Sequence, residues 1–220
     1  MNILVLTLTI SLLTCATVFG QATRETEYEQ RGIELLQKAS NKIKEFTTME
    51  VIFSYTMENT QMGISESMEG RVIAMGDKYR MTVGDNVFIS DGVNVWTFLS
   101  DLDEVHINTV ENSEGGLSPT VLLDNFSNEY RAKFIRQENQ DGKVVDLIDL
   151  TPNTPQSFFK YRLVLDARDQ SLVKIIAYDR HGGTYTYSIT TLKPNVAADE
   201  SSFRYNLSDF PDGVIEVDLR

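Results

Sequence analysis

The chain carries a single cysteine, Cys15, and two histidines, His106 and His181. One thiol cannot form a disulfide framework within the chain. No cysteine or second histidine stands at ligand spacing from either His, so a structural zinc site lacks its donors. There is no G-x-S-x-G nucleophile elbow, since Gly115-Gly116-Leu117-Ser118-Pro119 lacks the second glycine that motif needs. No glycine loop followed by Lys and Ser or Thr is present to cradle a phosphate. Positive charge is the minority: 20 Lys and Arg stand against 32 Asp and Glu, for a formal net charge of -12. That balance disfavours nucleic acid and anionic membrane as partners. Carboxylates are so plentiful, as at Asp101, Asp103 and Glu104 or at Asp146 and Asp149, that no general acid/base pair separates from the background. A solvated turn explains Asp101-Leu102-Asp103-Glu104 better than a Ca²⁺ loop does. The chain therefore reads as non-enzymatic, with no metal and no cofactor. It also lacks repeats, low-complexity segments and long linkers, which argues for one domain.

Charge is absent altogether from Met1 to Gly20. Ile3 to Leu13 forms an apolar core too short to span a bilayer stably, and Val18-Phe19-Gly20 places small or medium residues where a signal peptidase reads. Residues 1–20 read as a secretory leader, and residues 21–220 as one domain of about 200 residues, enough for a large core. Cleavage after Gly20 would also remove Cys15, leaving no thiol. The competing reading takes Leu12-Leu13-Thr14-Cys15 as a lipoprotein processing site. Threonine stands there where Gly or Ala is usual.

What the sequence does hold is apolar periodicity. From Thr26 to Phe46, Ile33, Leu36, Ile43 and Phe46 recur at near-helical spacing, with glutamates early and lysines late. After Thr48 the period becomes two. Val51, Phe53, Tyr55 and Met57 alternate with polar neighbours, and short strands follow at 68–75, 79–83, 87–89, 93–99 and 105–110. The hairpin Ile89-Ser90-Asp91-Gly92-Val93-Asn94-Val95-Trp96 turns on Asp91-Gly92 and carries the only tryptophan. Ser118-Pro119 looks like a cap and first turn for a short, very apolar helix over Thr120 to Phe126. Strands resume at 130–136, 144–150, 159–167, 172–178 and 184–192, with tail strands around Phe203 and over 214–219. The count comes to about eleven strands and two or three helices, an α+β chain whose long antiparallel sheet curls under its helices. Such a shape can enclose an apolar cavity.

These segments, in this order, resemble the periplasmic outer-membrane lipoprotein carrier family (LolA) of Gram-negative bacteria over nearly the whole of 21–220. The resemblance rests on the leading helix from Ile33 to Phe46 and the strand with Phe53. It rests also on Gly70, Gly76-Asp77-Lys78-Tyr79-Arg80-Met81 and Ser90-Asp91-Gly92-Val93-Asn94-Val95-Trp96. Leu117-Ser118-Pro119-Thr120-Val121-Leu122-Leu123, Asp149-Leu150-Thr151-Pro152, Phe203-Arg204-Tyr205 and Gly213-Val214-Ile215-Glu216-Val217 complete it. The family implies an unclosed antiparallel β-barrel with a lid of α-helices over an apolar cavity that takes the acyl chains of lipoproteins. It implies a periplasmic, monomeric chaperone that receives lipoproteins from an ATP-driven release complex in the inner membrane and passes them to an outer-membrane acceptor. Tyr79 and Met81 match cavity-lining positions. Ile33, Leu36, Ile43, Phe53, Tyr55, Trp96, Leu122 and Phe126 are the further candidates for cavity or lid. Some family members hold the lid shut with an arginine near the end of the strand after Gly70, where this chain reads Ala74-Met75-Gly76. The alternatives are a lipid-anchored acceptor of similar fold, which needs Cys15, a secreted enzyme using scattered carboxylates, and a secreted β-domain that is adhesive or holds another apolar ligand.

Overall fold

In a computed structural model, residues 13–111, 126 and 129–220 are described. One long helix, α1 (Leu13–Lys44), leads into a run of hairpins: β1 (Met49–Asn59), β2 (Ile64–Met75), β3 (Lys78–Val83), β4 (Asn86–Ser90), β5 (Asn94–Leu99) and β6 (Glu104–Thr109). A second run follows: β7 (Tyr130–Gln140), β8 (Lys143–Pro152), β9 (Phe158–Asp166), β10 (Leu172–Asp179) and β11 (Gly183–Pro194). Two 3-10 turns, Glu200–Phe203 and Leu207–Asp209, lead to β12 (Ile215–Asp218).

The twelve strands of the described residues form one sheet in the order β12-β6-β5-β4-β3-β2-β1-β11-β10-β9-β8-β7. Every pairing is antiparallel except β12 on β6. Each run of hairpins is a meander, and the two are joined where β1 pairs with β11. The terminal strands β12 and β7 are not paired with each other, so the barrel is unclosed.

Period-two alternation gives each strand one apolar face. On β3, Tyr79, Met81 and Val83 are buried while Lys78, Arg80 and Thr82 are half-exposed. The registers carry that face across the sheet, through Val72 beside Met81, Val51 beside Val72, and Tyr55 beside Tyr187. This inner face holds two clusters. One, over β7–β10, is covered by Leu35, Leu36 and Ala39 of α1; the other spans β1–β3 around Phe53 and Tyr79. Ile43, at the end of α1, packs against both.

Several boundaries differ from the sequence-based expectations. The helix begins at Leu13 rather than Thr26 and ends at Lys44, so Phe46 lies just beyond it. The bond from Phe46 N to Ile43 O closes the last turn. The connection after Ser90 has three residues, Asp91 to Val93, not two, because the Asp91 carboxylate accepts from the Val93 and Asn94 amides and delays β5 to Asn94. The tail strand expected around Phe203 is instead a 3-10 turn. Asp199 caps it by accepting from Ser201 N, a local bond that competes with strand pairing. The edge of β6 is in any case taken by β12. The short helix expected over Thr120 to Phe126 lies outside the described residues apart from Phe126, which is helical and buried.

Candidate functional site

The two inner-face clusters meet along a seam where β1 joins β11. Val51, Phe53, Val72 and Met81 stand on one side, and Ile175, Tyr187 and Ile189 on the other, around a cavity of about 20 Å³. That is room for about one water, and walls this apolar keep such a void dry. The seam exists because the register brings these side chains into one row. Phe53 pairs with Gly70 on β2 and with Ile189 on β11, and Tyr187 pairs with Ile175 on β10. A bulge in β11 between the partners of Ile52 and Phe53 keeps both Leu192 and Ile189 facing inward. The hydroxyl of Thr190, the extra residue, donates to the Ile52 carbonyl at 2.8 Å.

Rings dominate the seam. Tyr187 lies 5.8 Å from Phe53 and 5.1 Å from Tyr55, tilted to both. A second chain of rings, Tyr130–Tyr161–Phe158–Tyr185, continues across β7–β11 at 5.2 to 5.7 Å. Burial pushes the Tyr79 phenol up to about 12 and raises that of Tyr187 as well. These hydroxyls are neutral at physiological pH, so the seam carries no charge.

Helix α1 lies against β7, and Ile43 near its end packs on both clusters. Its fit onto β7 depends on Gly32: a Cβ there would sit 2.8 Å from the Phe134 backbone nitrogen, inside any real contact. The Arg31 guanidinium lies 4.5 Å over the Phe134 ring, and Tyr28 stacks on the same ring at 6.1 Å. Glu25 pairs with Lys133 at 2.6 Å at one end, and Lys42 pairs with Asp169 at 2.6 Å at the other.

The structure gathers Leu36, Ile43, Phe53, Tyr55, Tyr79 and Met81 on the inner face. Phe126 joins the cluster beneath α1, and Leu122 lies outside the described residues. Ile33 is not in the seam. It is 42% exposed and lines a separate, open hollow of about 290 Å³ with Tyr130, Ala132 and Phe126, because α1 turns it towards the β7 edge. Trp96 is on the opposite face of the sheet. It pairs with Ile89, and Ile89 with Arg80, whose side chain points away from its neighbours Tyr79 and Met81. There Trp96 stacks on Tyr205 at 5.5 Å and 8°. Val51, Val72, Ile175, Tyr187 and Ile189 are not among the candidates named for cavity or lid. Their alternation was visible, but the β1–β11 pairing that assembles them joins residues far apart in the chain.

His106 bonds Glu104 at 2.7 Å within its strand, and the His181 carbonyl accepts from Asn59. Among the described residues, no group of three or more His, Cys, Asp or Glu could hold a metal ion, and no helix is long and apolar enough to cross a membrane.

Comparison with known proteins agrees with this architecture. The family model described as outer membrane lipoprotein carrier protein LolA matches residues 44–206. An outer-membrane lipoprotein carrier protein from Legionella pneumophila is 25% identical over 184 residues, covering 81% of this chain and 87% of that protein. Among solved structures, an uncharacterized conserved protein from Thermus thermophilus superposes with a TM-score of 0.54 at 13% identity, covering 84% of this chain and 97% of that one. A DUF1329 family protein from Desulfovibrio piger superposes with a TM-score of 0.51 at 10% identity, covering 84% and 99%. These last two speak for the fold alone.

Proposed function

This chain belongs to the LolA family of outer membrane lipoprotein carrier proteins, and from that premise we propose that it is a periplasmic chaperone for lipoproteins. It takes their acyl chains from an ATP-driven release complex in the inner membrane and delivers them to an acceptor at the outer membrane. It works as a monomer, without cofactor or catalysis. Residues 1–20 are its export leader and 21–220 the carrier domain.

The observation that carries this reading is the apolar seam between the two clusters, narrowed to about 20 Å³. Each methylene of an acyl chain left in water costs about 0.8 kcal/mol, so a lipoprotein crosses an aqueous compartment only with its chains covered. A carrier must cover them and still let them go. A permanently open cavity would hold water badly, and a filled core would hold nothing. Two packed clusters that meet at an uncharged seam, bridged by Ile43 at the tip of α1, can part and re-close at modest cost. Loading then consists of α1 lifting at Ile43 and the chains coming to rest over Phe53, beside Met81 and Tyr187.

The test is release of lipoprotein from spheroplasts by purified protein spanning Gln21 to Arg220. Soluble lipoprotein co-eluting one-to-one with the protein is the expected result. No release by folded protein, with a known carrier active in parallel, would overturn the reading.

A further inference from the structure

Glycine in the interior of a strand costs about 0.5–1 kcal/mol relative to alanine, so its presence at a buried inner-face position asks for a reason. Gly70 is such a position: it lies within β2, is buried, and pairs directly with Phe53 on β1. Its backbone does not need glycine, since its φ lies outside the left-handed region. What it supplies is space. A Cβ at residue 70 would fall well inside 3.0 Å of the Phe53 ring carbons Cε2 and Cζ, closer than real Cβ atoms approach. The Phe53 ring therefore lies down against the sheet, in the room that glycine leaves. The same ring lines the seam cavity, its centroid 5.8 Å from that of Tyr187. Any lift of the ring off Gly70 moves it into the cavity.

We propose that the Gly70–Phe53 pair sets the depth of the acyl-chain site and so the chain length the protein accepts. This deepens the carrier reading and rests on it. Phe53, laid flat, is the floor of the site; Gly70 fixes how low that floor lies. A saturated chain gains up to about 0.8 kcal/mol per methylene buried, which is about fourfold in affinity per carbon. The gain continues until the chain end meets the floor, then stops. Chain-length discrimination thus appears as a break in the affinity profile, at a position the pair determines.

The experiment measures displacement of a fluorescent fatty-acid probe from the carrier domain by a series of saturated fatty acids of increasing length. Three variants are compared with wild type, each first checked for a cooperative urea transition. Gly70→Ala lifts the ring and moves the break to shorter chains, with a loss of about fourfold for each methylene that no longer fits. Phe53→Leu lowers the floor and moves the break to longer chains. The double variant Gly70→Ala/Phe53→Leu returns it towards the wild-type length, because the smaller side chain clears the new methyl. A break that stays at one length in all variants, with affinity falling evenly at every length, would overturn the depth role and leave the carrier reading standing. Absence of displacement by any chain in the wild type overturns the depth role alone if the same preparation releases lipoprotein from spheroplasts, and overturns both readings if it does not.

Discussion

Two triplets of rings stand on opposite faces of one sheet, with nearly the same spacing. Outside, Trp96, Tyr205 and Phe210 lie 5.5 and 5.7 Å apart; inside, Phe53, Tyr187 and Tyr55 lie 5.8 and 5.1 Å apart. Their surroundings differ. The outer rings are covered by the chain's own C-terminal segment. Tyr205 donates to Glu216, Lys78 pairs with Glu200, Arg80 lies 3.9 Å from Asp209, and β12 adds to the edge of β6. Phe98, Val105 and Ile107 complete a small closed core there. The inner rings border a void, and among the described residues Ile43 at the end of α1 packs beside them. Aromatic content alone therefore does not mark a binding site. The difference lies in what packs over each face.

The comparison breaks most visibly at Phe203, which is almost fully buried under the outer cover. Phe203→Ala should cost roughly 3–5 kcal/mol of stability, the usual range for a large core ring. The folded fraction should keep its wild-type affinity for acyl probes. Urea unfolding followed by probe titration of the same samples checks both. Weakened binding in protein shown to be folded would mean that the two faces are not independent.

Tyr79 sharpens it from the inside. Tyr79→Glu sets a carboxylate in a place where burial already pushes a phenol up to about 12. Desolvating an unpartnered polar group costs roughly 1–3 kcal/mol, so lipoprotein loading should fall by about tenfold or more. Trp96→Phe, on the other face, should leave loading unchanged while lowering stability by the loss of part of the ring that stacks on Tyr205. Loading by Tyr79→Glu at the wild-type level would remove Tyr79 from the site.

The contrast between Tyr79 and Trp96 also shows how far the sequence could be read. Each strand's alternation was plain, and so were the hairpin turns. Tyr79, Met81 and Phe53 could be placed on apolar faces from residues near them in the chain. Alternation gives a face within one strand but not which side of the sheet that face takes. For Trp96 that depends on the chain of pairings through Ile89 to Arg80, and on the segment from Glu200 to Asp218 returning to cover the outside. Tyr187 and Ile175 were hidden for a related reason. They reach the seam only through the central β1–β11 pairing, which closes a loop of more than a hundred residues and leaves no local trace. Phe203 misled because an apolar residue amid polar ones reads as a strand. Its Asp199 cap makes a turn that inserts the ring as a plug.

The smallest effect concerns the latch at the end of α1. The Lys42 ammonium, helped by the Ser171 hydroxyl and amide, holds the Asp169 carboxyl at about 2, below its ordinary 3.8. A carboxylate whose pKa is depressed by folding stabilises the fold fully above its unfolded value and loses that contribution as pH falls through the folded one. The latch should therefore be intact above about pH 4 and lost by about pH 2. Both side chains are substantially exposed, 36% and 54%, so the contribution belongs in the range of about 0–1 kcal/mol. Its consequence is local, because this ion pair sits one residue from Ile43, the side chain that bridges the two clusters. Lys42→Met should raise the rate of acyl-probe entry at neutral pH more than it lowers the urea midpoint. It should also flatten the acid dependence of entry between about pH 4 and 2 relative to wild type. Stopped-flow probe binding across that range is the measurement. An entry rate in Lys42→Met that equals wild type at neutral pH would place the opening of the inner face elsewhere along α1, at the Gly32 contact with β7 rather than at its C-terminal end.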